Sequence, residues 1–138
     1  MKKLLIDTNI VIDLLAKREP DYAEAAQLFS LADKKQIKLS VSSLTFANTN
    51  YMLLKLKSSD EVKSILRRFK LLVDVLALDD KILNLALNDQ DFKDFEDALQ
   101  YFSAIENNQD IIITRNLKDF KKAIMPVMTA SQFLKTKY

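Results

Sequence analysis

A chain of 138 residues is long enough for one domain that buries about two thirds of its unfolded surface, and its 21 basic and 19 acidic side chains leave a net charge of +2, too little to argue for a polyanionic partner. It contains no Cys and no His, which excludes disulfides, thiolate zinc sites, imidazole metal ligands and His-dependent acid–base pairs. Any chemistry therefore runs on carboxylates, amides, hydroxyls, Lys, Arg or Tyr, and hard-cation chemistry is the natural option. No apolar run approaches the ~20 residues of a membrane span, and the few apolar residues after Met1-Lys2-Lys3 are too short for a signal peptide, so a cytoplasmic location is expected.

Leu4-Leu5-Ile6 is apolar without alternation and reads as a central strand buried on both faces, ending abruptly on Asp7. In an open parallel sheet, ligands collect at the carboxyl ends of the strands, so Asp7 is a candidate site residue. The plainer alternative is that Asp7 or Thr8 caps a helix starting near Asn9. Ile10 to Ala16 continues as an apolar helix, broken at Lys17-Arg18-Glu19-Pro20, with Pro20 expected in the first turn of the next helix. Tyr22, Ala25, Ala26, Phe29 and Ala32 give that helix its apolar spacing.

Lys38 to Ser42 alternates briefly and reads as the second strand. Ser42 or Ser43 can cap a helix from Leu44 to about Lys57, and Ser58-Ser59-Asp60-Glu61 can cap another from about Asp60 to Phe69. Leu71 to Leu78, interrupted only by Asp74, reads as a third strand, followed by a helix capped by Asp79 or Asp80. With no Gly in the chain, left-handed backbone positions are expected on Asn or Asp, which makes Asn88-Asp89 and Asn107-Asn108 the expected helix terminators. Asp91 to Ala98 opens a further helix with a cluster of acids, some of which the helix dipole alone would favour. Ile111-Ile112-Ile113 is a strand that stops on the polar segment Thr114 to Asp119, and a short strand near Met125 to Met128 and a helix from Ala130 to about Lys137 close the chain. Strands alternating with helices predict a single α/β domain over residues 1–138, with a parallel sheet of four to five strands and helices on both faces.

Three polar ends face one crevice in this topology: Asp7, the Asp94/Asp97 cluster, and Asn116/Asp119. Converging carboxylates repel one another, and a divalent cation stabilises their charged forms. Mg²⁺ or Mn²⁺ suits an all-oxygen site and activates water for attack on a phosphodiester.

The residues that carry this pattern also carry a resemblance. Leu5-Ile6-Asp7-Thr8-Asn9 with Ile12-Asp13, Asp97-Ala98 with Ala104, and Ile112-Ile113-Thr114-Arg115-Asn116 with Asp119-Phe120 resemble the PIN-domain family, in particular its small VapC-type toxins; Ser131-Gln132-Phe133-Leu134 is similar to the family's closing helix. The resemblance implies a metal-dependent endoribonuclease that uses Mg²⁺ or Mn²⁺ on RNA, forms a homodimer, and has a cognate antitoxin whose tail plugs the acidic crevice. Asp7 matches the family's first acid and Asp97 the acid opening the later helix. The last position of the quartet falls on Asn116 or Asp119, with Thr114 as the neighbouring hydroxyl, so that Asp7, Asp97 and Asp119 are the implied metal ligands. The departure is Asn48, which stands where the family usually carries Glu. An amide oxygen can ligate a hard cation or orient water but brings no charge and cannot act as a base.

Asp94 reads as the cap of its helix, three residues before Asp97. Asn48 is equally well a hydrogen-bonded amide of the core, and Asn116 and Asp119 equally well turn or cap residues. Arg115 reads as an ion-paired or solvated side chain more readily than as a phosphate contact, and Lys63, Arg67, Arg68 and Lys70 as a solvated helix face more readily than as an RNA-contacting stripe. A second function follows from Asn48: a catalytically silent PIN-like module that binds RNA or a protein partner. A phosphatase of the haloacid-dehalogenase type is disfavoured because Asn9 occupies the place of its second acid, and a response-regulator receiver because the acid pair it needs at the end of the first strand is missing.

Overall fold

The computed structural model describes residues 1–136; the expected end of the last helix at Lys137 lies outside the described residues. Five strands form one all-parallel sheet: β1 (Lys3–Ile6), β2 (Lys38–Ser42), β3 (Asp74–Leu76), β4 (Ile111–Ile113) and β5 (Val127–Met128), in the order β3-β2-β1-β4-β5. β1 is central, as its unbroken apolar run predicts, and Leu4, Leu5 and Ile6 stand in register with Ile111, Ile112 and Ile113. Alternate side chains of these strands serve two cores. Leu4, Ile6, Leu39, Val41, Ile111 and Ile113 face α1 (Thr8–Leu15), α2 (Tyr22–Asp33) and α7 (Ala130–Leu134). Leu5 and Ile112 face α5 (Asp80–Asn88) and α6 (Phe95–Glu106). The remaining helices, α3 (Ser43–Leu53) and α4 (Ser59–Lys70), follow β2 and lead into β3. With every strand parallel, the ends of β1 and β4 open onto the same edge, which is where the polar segments lie.

The capping chemistry follows the sequence closely. Asp7, Ser42, Ser58, Asp79, Asp94 and Thr129 cap α1, α3, α4, α5, α6 and α7, each accepting a backbone N–H with its side chain. α3 ends at Leu53 rather than near Lys57, and α7 ends at Leu134, with Lys135 at its C-cap, rather than near Lys137. Three further details differ from expectation. Only three residues of the Leu71 to Leu78 run form a strand, because Leu71 and Leu72 still bond back to Arg68 and Phe69 as α4 winds down, leaving Leu71 86% exposed. Pro20 lies ahead of Asp21, the residue at the N-cap of α2, and so outside its first turn.

The third detail concerns helix ends. Among the described residues, left-handed backbone falls on Lys17, Lys35 and Asn108, so two of these three positions are lysines, and Asp89 ends α5 in an extended conformation. Each left-handed residue closes the same turn: Lys17 and Arg18 bond back to Leu14 and Asp13, Lys35 and Gln36 to Ala32 and Leu31, Asn108 and Gln109 to Ile105 and Ala104. The paired backbone bonds of this C-terminal motif, at exposed positions, offset the ~1 kcal/mol that a Cβ costs in the left-handed region. The first of these turns carries Arg18 back beneath Asp13, toward the site.

Candidate active site

Asp7 sits at the junction of β1 and α1 and is 7% exposed. Its Oδ1 accepts from the backbone N–H of Thr8 at 2.8 Å, and its Oδ2 accepts from Thr114 Oγ1 at 2.8 Å across the sheet from the end of β4. The capping and site readings therefore hold together: one oxygen caps α1, and the carboxylate also lines the crevice. Burial pushes its carboxyl above the ordinary range, against the opposing pull of the Thr114 and Thr8 bonds and of the Arg115 charge.

Asp97 lies in the first turn of α6, its backbone N–H bonded to the cap Asp94 at 3.1 Å. Its carboxyl is pushed up to about 7, first by burial and then by the charges of Asp94, Asp7, Asp119 and Glu96. Asp94 is the cap expected from its spacing, and its charge raises the neighbouring Asp97. An acid whose folded pKa is raised to about 7 loses its proton first in the unfolded chain, where the ordinary value is 3.8. Ionised Asp97 therefore adds no penalty below pH ~4 and an increasing one as the pH rises toward 7. Asp97→Asn is expected to raise the melting temperature in EDTA at pH 8 and to leave it nearly unchanged at pH 4; equal shifts at both pH values would contradict this origin.

Asp7, Asp97, Asn48, Asn116 and Asp119 all line one cleft of about 420 Å³. Asn48 is half-buried at its wall, which favours a site amide over a core amide. Asn116 precedes the single 3₁₀ turn Leu117–Phe120, its N–H bonded to Thr114 Oγ1 at 3.1 Å, and Asp119 stands exposed on that turn while Phe120 anchors it in the core. The cleft also holds Thr8, and residues that the sequence did not single out: Gln100, Arg18, Tyr51 and Met52. For Gln100 the available signal is its place three residues after Asp97, on the same face of α6 and among the apolar residues Ala98, Leu99, Tyr101 and Phe102.

Arg115 forms its ion pairs with Asp13 and, at 3.7 Å, with Asp21. Its Nε lies 2.9 Å from Asp13 Oδ2 and its Nη2 donates to Asp13 Oδ1 at 3.3 Å, while Arg18 Nη2 lies 2.9 Å from the same Oδ1. Asp13 is 1% exposed, so two arginines hold one buried carboxylate, and Arg115 takes the ion-paired role rather than that of a phosphate contact. Lys63, Arg67, Arg68 and Lys70 are exposed on α4 and do not line the cleft, in keeping with a solvated face. A different set of cations adjoins it: Lys93, Lys118, Lys121 and Lys122 line a recess of about 250 Å³ that shares Asp94, Asp97 and Asp119 with the acidic cleft.

The donor set fits a hard divalent cation in kind. Asp7 and Asp97 offer charged oxygens, Asn48 and Asn116 offer neutral ones, and the part of the rise at Asp97 that comes from neighbouring carboxylates, after burial, is repulsion that a cation relieves. Among the described residues no group of three or more Asp or Glu side chains is gathered into a cage for an ion, so the implied trio Asp7, Asp97 and Asp119 does not form a tight cluster. Such an arrangement suits an ion that keeps several waters and takes one or two carboxylates.

A parallel α/β sheet whose central strand ends deliver carboxylate and amide oxygens to one open cleft defines a class of proteins whose chemistry runs on acids rather than on His or Cys. Within that class the chain belongs to the PIN-domain family: the family profile described as PIN domain matches residues 3–118. It is 25% identical over 135 residues to Ribonuclease VapC1 of Aquifex aeolicus (strain VF5), covering 96% of this chain and 93% of that protein. A toxin–antitoxin complex from Klebsiella pneumoniae matches with a TM-score of 0.71 at 25% identity, over 92% of this chain and 97% of that one. VapBC2 from Rickettsia felis, solved bound to a DNA fragment from their promoter, matches with a TM-score of 0.68 at 22% identity, over 91% and 96%. Mycobacterium tuberculosis VapC20, a sarcin-ricin-loop-cleaving toxin, matches with a TM-score of 0.62 at 15% identity, over 79% and 86%, a likeness of fold.

Proposed function

We propose that the protein is a divalent-metal-dependent endoribonuclease, the toxin of a toxin–antitoxin pair. The observation that carries this reading is the shared cleft of Asp7, Asp97, Asn48, Asn116 and Asp119 in a PIN-domain chain. The similarity to Ribonuclease VapC1 supports RNA as the substrate, and the likeness to toxin–antitoxin complexes supports an antitoxin as the partner. Mg²⁺ or Mn²⁺, a homodimeric assembly and a cytoplasmic site of action belong to the same reading; among the described residues no helix is long and apolar enough to cross a membrane.

Asp7 and Asp97 would hold the cation, which when bound supplies Lewis acidity at the phosphate and a more acidic water. The chain's own part is orientation. Thr114 and the Thr8 amide fix both Asp7 oxygens, so the carboxylate enters the reaction without rotating. In hydrolysis the water oxygen bonds to phosphorus, one P–O ester bond breaks, and the leaving ribose oxygen takes up a proton. Lys93, Lys118, Lys121 and Lys122, in the recess that shares Asp94, Asp97 and Asp119 with the cleft, would contact the phosphodiester backbone of an RNA leaving it. Incubation of the purified protein with a mixed RNA pool tests the proposal: cleavage with Mn²⁺ that stops with EDTA supports it, and intact RNA under both conditions overturns it.

Asn48 favours the second reading, a silent module, only if an amide there disables the site. Asn48→Glu restores a carboxylate at the cleft wall and is expected to tighten Mn²⁺ binding about tenfold by calorimetry. An unchanged affinity would show that this position does not reach the ion.

A further inference from the structure

Gln100 is 4% exposed and lines the acidic cleft, yet only half of its amide is used. Nε2 donates to Thr45 Oγ1 at 3.2 Å and to Thr8 Oγ1 at 3.4 Å, and those two hydroxyls lie 3.1 Å apart. Oε1 is buried and has no donor among the described residues. Of the residues lining the cleft, one other carries a buried polar atom without a hydrogen bond, Arg18 at Nη2, and that atom has the Asp13 carboxylate at 2.9 Å. Gln100 Oε1 has no such counterpart.

A buried acceptor left unpaired is destabilising, so its retention in a cleft wall points to a donor supplied by what the cleft binds. The surroundings narrow the donor. Thr8 adjoins Asp7, Thr45 lies one turn before Asn48 on α3, and Asp97 lies one turn before Gln100 on α6, so the amide is placed by the three elements that also present the site oxygens. A phosphodiester at neutral pH has no proton to offer and a ribose hydroxyl is carried on a bulky ring, whereas water is the smallest donor that the cleft beside Gln100 can take. We propose that Gln100 is a water-positioning residue of the nuclease cleft, its Oε1 accepting a hydrogen bond from the water that attacks the phosphodiester. The inference rests on the nuclease reading and extends it to a residue outside the implied acid set. Gln100 takes up no proton in this role; it fixes the direction of the water's second O–H and thereby of the lone pair that meets phosphorus.

The test compares wild type, Gln100→Met and Gln100→Glu in RNA cleavage with Mn²⁺, in Mn²⁺ calorimetry and in thermal melts. Met matches the volume without an acceptor, and Glu keeps an acceptor in the same place. Gln100→Met is expected to lower kcat about 10- to 100-fold with KM and melting temperature nearly unchanged. Gln100→Glu is expected to keep most of kcat and to bind Mn²⁺ more tightly, because it adds a charge beside the other acids. Three results overturn the proposal: wild-type kcat in Gln100→Met, a rise in KM alone, or losses of kcat, Mn²⁺ affinity and melting temperature together, as a packing role would give. Wild type that neither cleaves RNA nor binds Mn²⁺ overturns the nuclease reading and this one with it, whereas an active wild type matched by Gln100→Met overturns this one alone.

Discussion

Asp7→Asn is expected to abolish RNA cleavage by about 10³-fold or more while leaving the protein folded, a loss equivalent to roughly 4 kcal/mol of transition-state stabilisation. The geometry separates the two effects. Asn at position 7 can keep Oδ1 as the cap acceptor for the Thr8 N–H and turn Nδ2 toward Thr114 Oγ1, whose hydroxyl can accept as well as donate. What it removes is a buried charge that raises Asp97 and that burial itself disfavours. Mn²⁺ affinity should therefore fall steeply, and the melting temperature in EDTA should hold or rise. A collapse of the fold would mean that Asp7 acts chiefly as a cap; full activity would remove it from the site.

Arg115→Met is expected to destabilise the protein by about 2–3 kcal/mol, a large effect for a side chain that is 36% exposed. The reason lies with its partner. Asp13 is 1% exposed on α1, and losing Arg115 leaves it with Arg18 alone, itself 38% exposed and able to turn to water. Breaking a buried pair from one side strands the charge, which is why the effect exceeds that of an ordinary surface ion pair. The same logic predicts partial recovery in the double variant Arg115→Met with Asp13→Leu, since that replacement removes the stranded carboxylate. Denaturant melts of the single and double variants check it: a double variant no more stable than the single would show that Arg115 matters through something other than Asp13.

These two predictions draw on features of different legibility. Asp7 was readable because a parallel strand buried on both faces has no reason to end on an acid except a cap or a site; it caps α1, and the same carboxylate lines the cleft. β2, β4 and most helix caps were equally plain, since Ser and Asp before apolar periodic runs have one common use. The Asp13 ion triad was not readable, because Arg115 and Asp13 are 102 residues apart and meet only once β1 and β4 pair. Gln100 was hidden for a similar reason: a polar residue among the apolar residues of α6 declares nothing until the hydroxyls of Thr8 and Thr45 are seen around it. The lysines of the recess are not legible as a cluster in the sequence, because Lys93 lies far from Lys118, Lys121 and Lys122 and joins them only in space, whereas Lys63, Arg67, Arg68 and Lys70 lie close together on one exposed helix face. At Lys17 and Lys35 the expectation of Asn or Asp failed because hydrogen-bonded turn geometry outweighed residue preference.

The central claim is that Asp7 and Asp97 share a divalent cation in the cleft at the ends of β1 and β4. Anomalous diffraction from crystals soaked in Mn²⁺ tests it most directly. The account predicts a peak within the cleft, in contact with Asp7 and Asp97 and absent from Asp7→Asn crystals. An empty cleft in crystals whose protein is saturated with Mn²⁺ elsewhere would contradict it.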